Sequence, residues 1–338
     1  MILSFRQVSG VLRTCARNDY ALRADPKRLR RFRMNMNNAS FSRRNFLGLT
    51  AVLPAALGAG VGVMGTIGAM AQDQPRKKIP IGLELYSVRG ELSKDLPKTL
   101  NEVGKMGYKL VEFYSPYFKW TPPYAKEVRA QMDDLGLRCY STHNGFESFT
   151  AGQSTAHAIE LNQILGVKYI VLASAPGTKG EEGWKKLCGR LSAVVEELKP
   201  HGLSAGYHNH SAEWAKLENG QRIMEVIAAN TPREFVLQLD VGTCVEAGSD
   251  PVAWVKANPG RIKCMHLKDW APGPKDDQKG YRVLFGEGAT PWKELLAAAE
   301  TVGGAEYFLI EQEGSRYGEF ETVKKCLENY RKITASAA

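Results

Sequence analysis

The 338-residue chain is long enough for one large domain or two small ones, and its 24% charged and 9% aromatic residues exclude a disordered or fibrous protein. Its net charge of +9 invites a nucleic-acid or membrane reading. The placement of that charge removes it: residues 1–71 hold eleven of the 45 basic and two of the 36 acidic residues, leaving 34 of each sign in the remainder.

Residues 1–71 read as a targeting segment. Arg43 and Arg44 follow Ser42 and precede Phe46-Leu47, and an uncharged Gly- and Ala-rich run then reaches Ala71. Ala69 to Ala71 form a small-x-small cleavage triplet. The pattern resembles a twin-arginine export signal, which implies a periplasmic destination and export after folding. The apolar run could also span a bilayer. Its glycines and the terminal triplet favour cleavage instead, with no stable membrane anchoring afterwards. Met34 or Met36 is the start such a signal predicts.

Residues 72–80 are a polar linker, and residues 81–332 repeat one pattern. A short β-rich apolar run precedes a helical stretch, eight times. The runs are 81–88, 110–114, 138–144, 169–174, 203–210, 235–240, 262–269 and 307–313. Several helical stretches stop at a glycine. Strands alternating with helices predict parallel βαβ units, and eight units predict an α/β fold, a closed (β/α)8 TIM barrel in one domain. No GxGxxG turn follows the first run, which argues against an open doubly wound sheet. The connection over 271–292 is the longest, as functional loops are. Five cysteines follow Ala71, with no CxxC spacing, so no disulfide framework is expected.

A barrel of this kind builds its site at the C-terminal strand ends. Those ends carry His143, His208 and His210, Asp240, His266 with Lys268 and Asp269, and Glu311 with Glu313. Period-two alternation puts His208 with His210, His266 with Lys268, and Glu311 with Glu313 on common sides. A converging His/Asp/His/Glu set suits one divalent ion: Mn, Mg, Co or Zn. Helix capping also accounts for Asp240, and Asp269 reads as a loop or capping residue. Glu84 divides evenly between site and rim, whereas Glu112 reads as a polar rim residue.

"LQLDVGT", "CMHLKD", "FGEGATPW" and "LIEQEG", in that order, make residues 80–332 similar to the xylose isomerase-like sugar isomerase/epimerase superfamily. The resemblance implies Asp240, His266 and Glu311 as metal ligands. It also implies a strand-five glutamate, and there this chain has His208, within "YHNH". A histidine-rich motif at that place resembles the inosose dehydratase branch. His208 is then the fourth ligand, and His210 a neighbouring or proton-transferring residue. The implied chemistry starts with a metal-polarised keto-sugar that loses the proton beside its carbonyl to give a metal-stabilised enediolate. Isomerisation, epimerisation, dehydration or elimination from a 3-keto-glycoside all share that step. Glu311, His210 and a Lys268 of lowered pKa are the candidate catalytic bases. Glu84, His143, Trp214 and Trp270 are expected to contact the carbohydrate substrate, with Trp120 and Phe146 near them. Two other classes compete. A non-catalytic sugar-binding barrel uses the same residues without proton exchange. An abasic-site endonuclease-like nuclease needs a basic face that residues 72–338 lack, so no nucleic-acid partner is expected. A homo-oligomer is left open.

Overall fold

The computed structural model describes residues 79–150, 153–274 and 279–335. Arg43-Arg44, the Ala69–Ala71 triplet and nearly all of the 72–80 linker lie outside them. Eight strands follow in chain order: β1 (Ile81–Glu84), β2 (Leu110–Glu112), β3 (Ser141–Asn144), β4 (Tyr169–Leu172), β5 (Ser204–His208), β6 (Val236–Asp240), β7 (Cys264–Leu267) and β8 (Tyr307–Ile310). All pairings are parallel, in the order β2-β1-β8-β7-β6-β5-β4-β3. Isolated bridges Leu110↔Arg138 and Phe113↔Thr142 join β2 to β3 and close the ring. The result is a TIM barrel with helices outside it. None of the described helices is long and apolar enough to cross a membrane.

Local chemistry sets these elements. Helix Leu96–Met106 begins at Asp95, whose Oδ1 accepts from Lys98 N at 2.9 Å, and has Pro97 in its first turn. It buries Leu100 and Val103, one helical step apart, and ends at Gly107 with φ 97°, a conformation glycine adopts without strain. The strands are short and nearly fully buried, because one face meets the helices and the other meets the barrel interior.

The barrel interior is layered. At its base, Leu110, Cys264, Tyr307 and Leu309 form a separate apolar cluster with Tyr140 and Tyr169 against it. Tyr307 meets Tyr140 edge-on at 5.5 Å and stacks on Tyr169 at 6.4 Å. Gly82 is required here: a Cβ on it would lie 2.5 Å from Leu110 Cβ and 2.7 Å from Leu110 O. Two residues further along each strand the lining turns polar. Register then pairs Glu84 with Glu112, His208 with Gln238, and Asp240 with His266. All five described cysteines are free and buried.

Candidate metal centre

The polar layer draws on seven strand ends. Glu112, on β2, is fully buried, which corrects its reading as a rim residue. Donors surround it: Ser141 Oγ, Gln238 Nε2 at 2.9 Å, His266 Nε2 at 2.6 Å and His143 Nε2 at 3.3 Å. Burial opposes its charge, but His143 and His266 outweigh that and pull its pKa down to about 2. Glu84, opposite Glu112, takes the reverse course. Burial and the charge of Glu112 push it well above the carboxylate range, so it carries a proton. Its Oε1 accepts from Tyr86 N at 3.3 Å, while its buried Oε2 has no partner.

His266 lies between two carboxylates. Nε2 meets Glu112, and Nδ1 lies 2.8 Å from Glu311 Oε2. Burial disfavours its charge, yet Glu112 and Glu311 hold its pKa well above the histidine range. His143 stacks on His266 with centroids 5.0 Å apart and meets His208 at 4.5 Å. Burial keeps His143 and, more strongly, His208 neutral. His208 Nε2 is 3.7 Å from Asp240 Oδ2.

Lys268 is 2% exposed, and its Nζ lies 2.8 Å from Asp240 Oδ2, 3.4 Å from Glu311 Oε2 and 2.6 Å from Glu313 Oε1. Burial works against the ammonium, but these three carboxylates raise its pKa well above the usual lysine value. The expectation of a lysine base with lowered pKa is therefore corrected: Lys268 is charged. Burial raises Asp240, and Lys268 opposes that rise. Lys268 and His266 hold Glu311 ionised against its burial.

Ligand-type atoms of His208, Asp240 and Glu311 all lie within 4.8 Å of one another, as do those of His143, His208 and His266, and those of Glu84, Glu112 and His266. Asp240 Oδ1 caps the next helix by accepting from Thr243 N at 3.1 Å. The capping reading is thus true of one oxygen. The other, Oδ2, is buried and faces the Lys268 ammonium at 2.8 Å and His208 Nε2 at 3.7 Å. A carboxylate oxygen beside a neutral imidazole and a second, ionised carboxylate is a donor set that fits a divalent cation. His208, Asp240 and Glu311 are the residues able to hold it, and His266 could join them only after giving up a proton and its bond to Glu112 or Glu311.

The other expected residues are dispersed. His210 lies past the end of β5 and is exposed, its ring 5.0 Å from that of His208 and its backbone N donating to Glu213 Oε2 at 2.9 Å. Trp214 is buried, edge-on to Trp254 at 5.1 Å in the helix layer. Trp270 follows β7 and is half-buried, as are Trp120 and Phe146. Asp269 anchors the long loop, accepting from Trp270 N, Gly286 N, Gly288 N, Thr290 Oγ1 and Trp292 Nε1 at 2.8–2.9 Å. Gln238 was not singled out from the sequence. Its signal is one polar residue inside the apolar run "FVLQLD", on the same strand face as Asp240.

Comparison with known proteins gives a consistent picture. The family model for the xylose isomerase-like TIM barrel matches residues 100–333. An inosose dehydratase of Clostridium botulinum (strain Alaska E43) is 27% identical over 124 residues, 37% of this chain and 39% of that protein. The chain spans less than half the length of the curated relatives it matches. A sugar phosphate isomerase/epimerase from Parabacteroides distasonis is 26% identical, with a TM-score of 0.61 over 78% of this chain and 97% of that one. The IolI protein, solved with a bound zinc atom, shares the fold at 17% identity, with a TM-score of 0.57 over 77% of this chain and 98% of that one.

Proposed function

The chain belongs to the xylose isomerase-like TIM barrel family, and from that premise we propose that it is a divalent-metal-dependent enzyme of the sugar isomerase/epimerase type. The substrate class is a keto-sugar or a sugar derivative. One observation carries the reading: ligand-type atoms of His208, Asp240 and Glu311 converge within 4.8 Å of one another, with only the Lys268 ammonium as counter-charge to the two carboxylates. His208, Asp240 and Glu311, with His266 once it gives up a proton, would hold the ion, and a bound cation there would polarise a substrate carbonyl and acidify the neighbouring C–H.

The chain's own residues account for the proton movements. Glu311, ionised and 3.4 Å from Lys268, accepts the proton from the carbon beside the carbonyl. The Lys268 ammonium offsets negative charge as it develops on the substrate oxygen. Return of the proton to the other face or carbon gives epimerisation or isomerisation. His210, exposed just past β5 with its ring 5.0 Å from that of His208, exchanges protons with solvent. Glu84, protonated, and His143 form the opposite wall and serve substrate hydroxyls.

A second reading is elimination, in which the C–O bond beta to the carbonyl breaks after the same proton loss and a dehydratase or 3-keto-glycoside eliminase results. Two observations favour it. His208 stands where a two-glutamate epimerase needs a carboxylate, and inosose dehydratases are among the matched relatives. The test is a panel of keto-sugars and 3-keto-glycosides in heavy water, with Mn²⁺ or with chelator. Metal-dependent deuterium incorporation beside the carbonyl is expected, and loss of water or of an aglycone identifies elimination. Bound sugar without exchange would leave only a sugar-binding barrel. We further propose export to the periplasm, supported by Arg43-Arg44 and by the charge division at Ala71.

A further inference from the structure

Three imidazoles meet inside this barrel, and nothing in their own chemistry fixes which nitrogen of each bears the proton. Their neighbours do. Gln238 Nε2 donates to Glu112 Oε1 at 2.9 Å. That fixes the amide's orientation. Its oxygen, Oε1, then lies 2.6 Å from His143 Nε2 and 3.0 Å from His208 Nδ1. A carbonyl oxygen also accepts only. His143 therefore bears its proton on Nε2 and His208 bears its proton on Nδ1. The lone pair of His208 is left on Nε2, the atom that faces Asp240 Oδ2.

We infer that Gln238 is a positioning residue that sets the tautomers of His208 and His143. It aims the His208 Nε2 lone pair at the carboxylates of Asp240 and Glu311. Gln238 is fully buried, pairs with His208 in the β5–β6 register and stands two residues before Asp240. One strand thus supplies both a carboxylate of the site and the group that orients the neighbouring imidazole. A neutral amide suits this place. It needs one donor toward Glu112 and one acceptor toward two histidines, and the carboxamide is the side chain offering both from fixed atoms. The purpose of the lone pair rests on the metal-centre reading above, whereas the tautomer itself does not.

The test separates the two. Long-range ¹H–¹⁵N correlation on the metal-free protein, with His208 assigned through H208Q, reads the protonated nitrogen directly. The wild type is expected to show His208 protonated on Nδ1 alone and His143 on Nε2. Q238L should release His208 to a tautomer mixture and lower Mn²⁺ affinity by about 10–100-fold, the usual loss when the group orienting a ligand is removed. In Q238E, a protonated carboxyl can donate to Glu112 and accept from both rings, so that variant should keep the wild-type tautomer. The inference is overturned if wild-type His208 is protonated on Nε2 or on both nitrogens, or if Q238L leaves its tautomer unchanged. If Q238L does not fold, the wild-type spectrum and Q238E still decide. A wild type with the expected tautomer that binds no Mn²⁺ refutes the metal centre and leaves the role of Gln238 standing.

Discussion

Replacing Lys268 with methionine removes one buried cation and leaves its stem volume largely in place. In the metal-free protein Asp240 and Glu311 then lose the ammonium 2.8 and 3.4 Å away, and both carboxylates are buried. Breaking a buried charge pair by deleting one partner costs about 3–5 kcal/mol, because Asp240 is left without water or an adjacent cation, His266 remaining paired to Glu311. Glu313 adds little to this sum, its side chain being 44% exposed and its pair with Lys268 screened by solvent. For a domain of this size 1 kcal/mol moves the melting temperature by about 2–4 °C. The expected deficit of K268M in chelator is therefore about 6–20 °C. A divalent ion held by His208, Asp240 and Glu311 restores positive charge to the same oxygens. Saturating Mn²⁺ should thus recover more than half of the deficit. The assay is thermal unfolding by circular dichroism of wild type and K268M, each with EDTA and with Mn²⁺. An equal deficit in both conditions would refute the reasoning, since ammonium and ion would not then be serving the same carboxylates. No deficit in EDTA would refute it equally.

Other expectations are as direct. H208A should lose most of its Mn²⁺ affinity, whereas H210A, altered at an exposed ring beyond β5, should keep the ion and lose turnover by about 10²–10⁴-fold; elemental analysis beside a keto-sugar assay reads both, and loss of the ion from H210A alone would reverse the roles. Glu112 has a folded pKa of about 2 against an ordinary 4.5, so its ionisation stabilises the fold fully above pH 4.5 and loses that effect as pH falls toward 2. Urea titrations of wild type and E112Q across that window should show a smaller acid loss in E112Q, and parallel curves would contradict this. R43K/R44K should keep the protein in the cytoplasm; fractionation that finds normal periplasmic yield would dismiss the export proposal.

The eight strands were readable in order because each is a compact β-rich run followed by a helical period, and the barrel imposes that alternation along the whole chain. Their ends were less so. The run 203–210 pairs only as Ser204–His208, and 307–313 only as Tyr307–Ile310. Pairing stops where the polar residues turn into the loops, so His210 falls outside the strand and is exposed, although its ring stays 5.0 Å from that of His208. Glu112 illustrates a different limit. In "LVEFY" it is a lone acid near a strand end, indistinguishable from a rim residue. Its burial is tolerated because Ser141, Gln238, His143 and His266 bring donors from three other strands. That information is spread over more than 150 residues and has no local trace. The direction of the Lys268 shift was lost for the same reason, since only the folded chain places Glu311 and Glu313 against it.

The tyrosine and leucine base of the barrel turns the interior into a cul-de-sac. Leu110, Leu309, Cys264 and Tyr307 stop the bore beneath the histidines, and the close approach at Gly82 leaves no seam there. A molecule reaching the polar layer departs by the route it came. Entry and exit are then consecutive uses of one doorway, and product must vacate it before the next substrate arrives. For the proposed reaction, product left in that passage would stand in the way of the next substrate.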